Sequence, residues 1–212
     1  MDSEAWRAAV QEASGLKKDL KARGLTLETM TEDIFDTLWE GRPTLPQTPV
    51  FILGEERTGA SCTEKLNRIR EAIAKNGASA IILSALDEIA WTLNLRGDDV
   101  HCNPVFISYL LISKEGYTLY ILEDKITDEV RTYLKTHQVE IKTYSRLAED
   151  IKAFKERHQG VLQISPLANE ALYDLSSRYA DTIIAHETIN LPINPHHRQC
   201  NEFSVKLCFA EA

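Results

Sequence analysis

Five side chains able to do chemistry fall within eight residues of this 212-residue chain: Arg96, Asp98, Asp99, His101 and Asn103. A guanidinium, two carboxylates, an imidazole and a carboxamide could together grip a charged or hydrogen-bonding ligand. Loops on rigid scaffolds are where such groups concentrate. The competing reading is a surface ion-pair cluster around an ordered turn, because charge clusters are often structural. Gly97 marks a turn directly after Asn94-Leu95-Arg96, and Pro104 stiffens the chain directly after Asn103.

Other candidate groups are weaker. Gly54-Glu55-Glu56-Arg57-Thr58-Gly59-Ala60-Ser61 has the outline of a phosphate loop with its lysine replaced by alanine. Such a loop needs that lysine, and Glu55 and Glu56 would repel phosphate. A plain loop ending in a helix N-cap at Ser61 explains the same residues. His196, His197 and Cys200, with His186 upstream, form a small cluster in loop-like sequence with no clear fourth ligand for zinc. A polar tail is the simpler reading. Cys62 opens a helix, where a thiolate is favoured, but no partner histidine is indicated. Neither a nucleophile elbow nor an HExxH helix occurs. Trp91, Phe106 and Tyr109 could line a pocket, although aromatic residues at such spacings are usually core.

These groups must be held by the elements around them. Ala78–Ala85 is a short apolar run, the pattern of a buried strand. Leu86-Asp87-Glu88 opens a helix with carboxylates in its first turn, where the helix dipole favours them. Ile89, Ala90 and Leu93 share one face of it. From Val50 onward strands and helices are expected to alternate: strands at 50–53, 79–84, 104–113, 117–122, 139–144, 161–165 and 182–186, and helices near 61–76, 86–94, 128–137, 146–157 and 169–178. This alternation predicts an α/β fold, a mixed, mostly parallel central sheet with helices on both faces. The antiparallel part is a hairpin over 104–122. Before Val50 the sequence predicts a helix over 2–24 with an apolar stripe of Trp6, Val10, Leu16 and Leu20, then a short strand at Leu25–Leu27. A helix from Glu32 to Trp39 follows, with Ile34, Phe35 and Leu38 facing inward. Pro43, Pro46 and Pro49 make a stiff linker.

Composition narrows the function. Apolar residues make up 43%, enough for an ordinary core, and the net charge is −8. Nucleic-acid and anionic-membrane partners call for clustered Lys and Arg, which this balance disfavours. No apolar run is long enough to span a bilayer. Four sparse cysteines without a CxxC pair fit a reduced, cytoplasmic setting.

Residues 86–109 read LDEIAWxLNLRGxDxxxNPVFxSY. This resembles the signature of the middle domain of cytosolic three-domain Xaa-Pro aminopeptidases (aminopeptidase P). Weaker blocks agree in order: Leu25 to Trp39 with the end of the first domain, Trp39, Arg42, Pro43, Pro46 and Pro49 with the interdomain linker, and Leu53, Thr58, Gly59, Ser61, Lys65 and Arg70 with the opening of the second domain. The resemblance implies a creatinase N-terminal-like fold. It divides the chain into a first-domain remnant (1–42), a linker (43–49), the middle domain (50–192) and a divergent tail (193–212). It implies that two metal ions, usually manganese, sit in a C-terminal pita-bread domain outside this sequence, so no metal ligand carries over and no cofactor is expected here. The chain is then expected to be an inactive fragment that shapes a cleft for proline-containing peptides. Arg96 is the foremost rim residue, with Asn94, Asp99, Asn103 and Tyr109 beside it. A homodimer through helix 2–24 is a further expectation. The alternative is a stand-alone module that binds a peptide or protein. A small-molecule enzyme using the 95–103 loop is a third option.

Overall fold

The computed structural model describes residues 10–27, 38–157, 160–165, 167–179 and 181–184. The helix expected from Glu32 to Trp39 falls almost wholly outside these residues, as do His186, His196, His197, Cys200 and the whole tail.

Six strands form one sheet. They are β2 (Ala80–Leu83), β4 (Tyr109–Ser113), β5 (Tyr117–Ile121), β6 (Val139–Thr143), β7 (Val161–Ile164) and β8 (Asp181–Ile184), in the spatial order β6-β5-β4-β2-β7-β8. The pairs β5–β6, β2–β7 and β7–β8 are parallel, while β2–β4 and β4–β5 are antiparallel. The sheet is therefore mixed and mostly parallel, as expected. All four residues of β2 are buried, which a central strand covered on both faces requires.

Successive side chains along a strand point to opposite faces, and this period sorts the core into two layers. Ile81, Leu83, Leu110, Ile112, Leu119 and Ile121 face α3 (Cys62–Lys75), α4 (Leu86–Leu93) and α5 (Asp128–Thr136). Ala80, Ile82, Tyr120, Leu162 and Ile164 face α6 (Leu147–Arg157) and α7 (Glu170–Tyr179). Helix α1 (Val10–Ala22) lies outside this second layer. Its Ala13 is buried, and Lys17 pairs with Glu170 of α7.

The helix starts follow local chemistry. Ser61 caps α3 by accepting from the Glu64 amide at 3.2 Å, and Thr127 caps α5 by accepting from Val130 at 3.2 Å. Gly24 takes φ +75° just past α1, a left-handed stop that suits glycine.

Five expectations are corrected. Residues 50–53 do not join the main sheet. Phe51–Ile52 (β1) pairs only with Leu95–Arg96 (β3) in a separate ribbon. Both ends of that segment are held elsewhere, by Val50 N–H donating to the Lys125 carbonyl at 3.0 Å and Leu53 N–H to the Asn94 carbonyl at 2.8 Å. A short helical turn, α2 (Glu55–Thr58), follows where a plain loop was expected. Residues 25–27 form no strand, and Leu25 is exposed; a strand needs a partner, and none adjoins it among the described residues. Leu38 does not face inward but is 75% exposed. Finally, β4 begins at Tyr109 and not at Pro104, because residues 104–108 are bonded into the preceding loop.

Candidate functional site

The signature segment begins where α4 stops. Asn94 ends that helix in the left-handed conformation, φ 54°, a position asparagine tolerates better than most residues. Its side chain is fully buried. Its Oδ1 accepts from Lys65 Nζ at 2.5 Å, and its Nδ2 donates to the Ala60 carbonyl at 2.9 Å. Lys65 also donates to the Trp91 carbonyl at 2.9 Å and lies 4.3 Å over the Trp91 ring. Burial, with the Arg96 guanidinium nearby, pushes the Lys65 ammonium down to about 8. Asn94 and Lys65 thus lock α3 against the end of α4.

Arg96 turns back on its own helix. Its guanidinium donates to the Ala90 carbonyl at 2.8 Å and the Leu95 carbonyl at 2.9 Å. A cation at the carbonyl end of a helix is favoured by the helix dipole. Gly97 follows because nothing larger fits. A Cβ there would stand 2.7 Å from Phe106 Cβ and 3.1 Å from the Val105 carbonyl oxygen.

Asp99 is the anchor of the loop. Its side chain is wholly buried and ion-paired with the equally buried Lys125. The same oxygen, Oδ2, accepts from the Ile107 amide at 2.6 Å, and the Asp99 amide donates to the Val105 carbonyl at 3.1 Å. Lys125 in turn carries the linker on its carbonyl through Val50. One lysine therefore fastens the signature loop to the end of the proline linker. Asp98, His101 and Asn103 are exposed on the outer side of the loop.

Tyr109 stands apart from the other four expected rim residues, at the opposite end of the loop. Asn169 Nδ2 donates to its hydroxyl at 3.0 Å, while Asn169 Oδ1 caps α7 by accepting from Leu172 at 2.8 Å. The Tyr144 ring packs against it at 5.3 Å. Together they border a cleft of about 210 Å³. The five rim residues thus fall into two buried anchors (Asn94, Asp99), a helix cap (Arg96), an exposed amide (Asn103) and a cleft wall (Tyr109). Sequence reasoning missed Lys65 and Lys125 as the cations that meet Asn94 and Asp99, and Asn169 as the partner of Tyr109. A polar residue just before α7 was the available signal for Asn169.

Cys62 is fully buried, and desolvation pushes its thiol up to about 12, so it is no nucleophile. The Gly54–Ser61 segment holds no lysine aimed at an anion; Thr58 is buried, its hydroxyl turned to the Gly54 and Ala60 carbonyls at 3.4 and 3.3 Å. Among the described residues no group of three or more His, Cys, Asp or Glu side chains could hold a metal ion.

The layered mixed sheet, covered by helices on both faces, and its folded-back signature loop define the class: a mixed α/β domain. The model of the creatinase/prolidase N-terminal domain family matches residues 41–193, and the chain belongs to that family. Among its relatives, "Probable Xaa-Pro aminopeptidase P" of Sordaria macrospora is 45% identical over 140 residues, covering 65% of this chain and 23% of that protein. The protein of the same description from Neurospora crassa is 41% identical over 140 residues, 65% of this chain and 20% of its own length. This chain therefore spans between a fifth and a quarter of these relatives. The crystal structure of X-prolyl aminopeptidase from Caenorhabditis elegans, described as a cytosolic enzyme with a di-nuclear active site, superimposes with a TM-score of 0.76 at 25% identity. The match covers 84% of this chain and 30% of that one.

Proposed function

We propose that this chain is the scaffold portion of an Xaa-Pro aminopeptidase. In this reading residues 50–192 form the middle domain, 1–42 the end of a first domain, 43–49 the linker and 193–212 a divergent tail. Two metal ions, manganese in the simplest case, and the residues that bind them belong to a catalytic domain outside these 212 residues. The chain's own part is to hold a rim beside that domain's substrate cleft in the cytoplasm. Asn103, exposed on the outer side of the loop, would face proline-containing peptides, while Arg96, bound to backbone carbonyls, and the anchors Asn94 and Asp99 would hold the rim in shape. Tyr109 would continue the rim at the start of β4.

The observation that carries this reading is the extent of the likeness. It is strong over the middle of the chain and spans a small share of much longer aminopeptidases. The test is an assay of the chain with manganese and an X-Pro-X peptide. No release of the first residue is expected, and measurable release overturns the reading.

A stand-alone peptide-binding module is the second reading. It is favoured by a core already closed on both faces of the sheet. Titration of the isolated chain with an X-Pro-X peptide separates the two. Saturable binding that Arg96→Ala abolishes, in a variant that keeps its fold by circular dichroism, supports the module.

A further inference from the structure

The cleft beside Tyr109 lies where the chain's topology opens the sheet. β2 and β7 are parallel neighbours. β2 runs into α4 on one face, and β7 runs into α7 on the other. Adjacent parallel strands whose connections leave to opposite faces create a crevice at their carboxyl ends, the place where open α/β sheets bind ligands. β4 enters antiparallel to β2 at the same end, bringing Ser108 and Tyr109 beside Ser84. Four separate segments therefore meet around one cavity.

Its wall is ordered before any ligand arrives. Asn169 is bound at both ends of its amide, and Tyr109 is held between Asn169 and Tyr144. Two serines, Ser84 and Ser108, are among the residues that line the space. Ser108 Oγ donates to the Phe106 carbonyl at 3.4 Å, which leaves its lone pairs to accept. Ser84 is half-buried, and its hydroxyl has no hydrogen-bond partner among the described residues. Leu86, Tyr144 and Leu167 supply apolar surface. Among the described residues no lysine, arginine, histidine, aspartate or glutamate lines the cavity. Asp87 and Glu88, next in the chain after Leu86, weigh against an anion.

We propose that this cleft binds a small neutral molecule with a planar apolar body and an amide edge. The Ser84 hydroxyl donates to its carbonyl, Ser108 Oγ accepts from its N–H, and the body lies between Tyr144 and the two leucines. Few convergent polar groups in an otherwise apolar concavity are the usual make-up of such sites. The proposal does not rest on the aminopeptidase reading.

Three probes of one shape and different charge test it: benzamide, benzoate and benzamidinium, titrated into the full chain by heteronuclear NMR. Benzamide is expected to shift the amides of Ser84, Ser108 and Asn169 and to bind at least several-fold more tightly than either ion. Ser84→Ala breaks no described protein hydrogen bond and should weaken benzamide roughly 3- to 10-fold, the worth of one hydrogen bond. Leu167→Ala, at a side chain that is 75% exposed, should weaken it less and leave the fold intact. No shift at millimolar benzamide overturns the proposal. So do shifts confined to other residues, preference for benzoate, or an unchanged affinity in Ser84→Ala. None of these outcomes bears on the release of a residue from a peptide, so the two readings fail separately.

Discussion

Glu88 is a carboxylate placed where its protonated form is favoured. One of its oxygens, Oε2, is buried without a partner among the described residues, and burial, aided by Asp87, pushes the group up to about 7. In the unfolded chain it titrates near 4.5. Between these values the folded state holds more protons than the unfolded one, so stability falls as pH rises from about 4.5 to 7. Glu88→Gln should leave stability unchanged at pH 4 and raise it at pH 8 by on the order of 1–3 kcal/mol. Urea unfolding at the two pH values checks this; equal gains at both would refute it. Asp99 and Lys125 pose the opposite case, a buried pair in which each charge needs the other. Lys125→Met should cost about 3–5 kcal/mol, and adding Asp99→Asn should recover part of that loss. A double-mutant cycle with additive penalties would show the pair to be uncoupled.

At the level of elements, the loop between α4 and β4 is set by contacts a local reading cannot supply. Gly97 illustrates this. The sequence marks it as a turn glycine, yet its necessity comes from Phe106, nine residues on, whose Cβ occupies the space a side chain would take. Gly97→Ala should cost about 1–3 kcal/mol, the usual penalty for overpacking. A thermal midpoint equal to the parent's would show that Phe106 can retreat. Capped helices were the most legible elements: Ser61 and the apolar spacing of Leu66, Ile69 and Ile73 are both in the sequence, and α3 follows them. The segment 50–53 misled because an apolar run with β-forming residues says nothing about which partner it meets. Its partners are Lys125, Asn94 and the Leu95–Arg96 strand, which hold it in a ribbon apart from the main sheet.

At the level of the whole molecule, α1 is held to the domain lightly, by Ala13 and the Lys17–Glu170 pair. Leu16 is 48% exposed, and Leu38 and Trp39 add further exposed apolar surface before the linker. Apolar surface left outside a core is a common means of association. The chain should therefore self-associate through α1. Light scattering is expected to give a mass that rises with concentration in the intact chain but not after Leu16→Lys. A strictly monomeric parent would refute this.

The residues themselves determined the alternation of strands and helices, the two-sided burial of the sheet and the family signature from Leu86 to Tyr109. Each of these is a pattern of neighbours, written at spacings of two to four residues or as one contiguous motif. The tertiary structure alone decided which polar groups meet. Lys65 and Asn94 are 29 positions apart, Asp99 and Lys125 26, and Tyr109 and Asn169 60. Folding also turned three of the loop's polar residues, Asn94, Arg96 and Asp99, toward its own backbone and core. Desolvation makes an unpaired buried group costly, so the partner that removes the cost is chosen by proximity in space, and no local pattern records it.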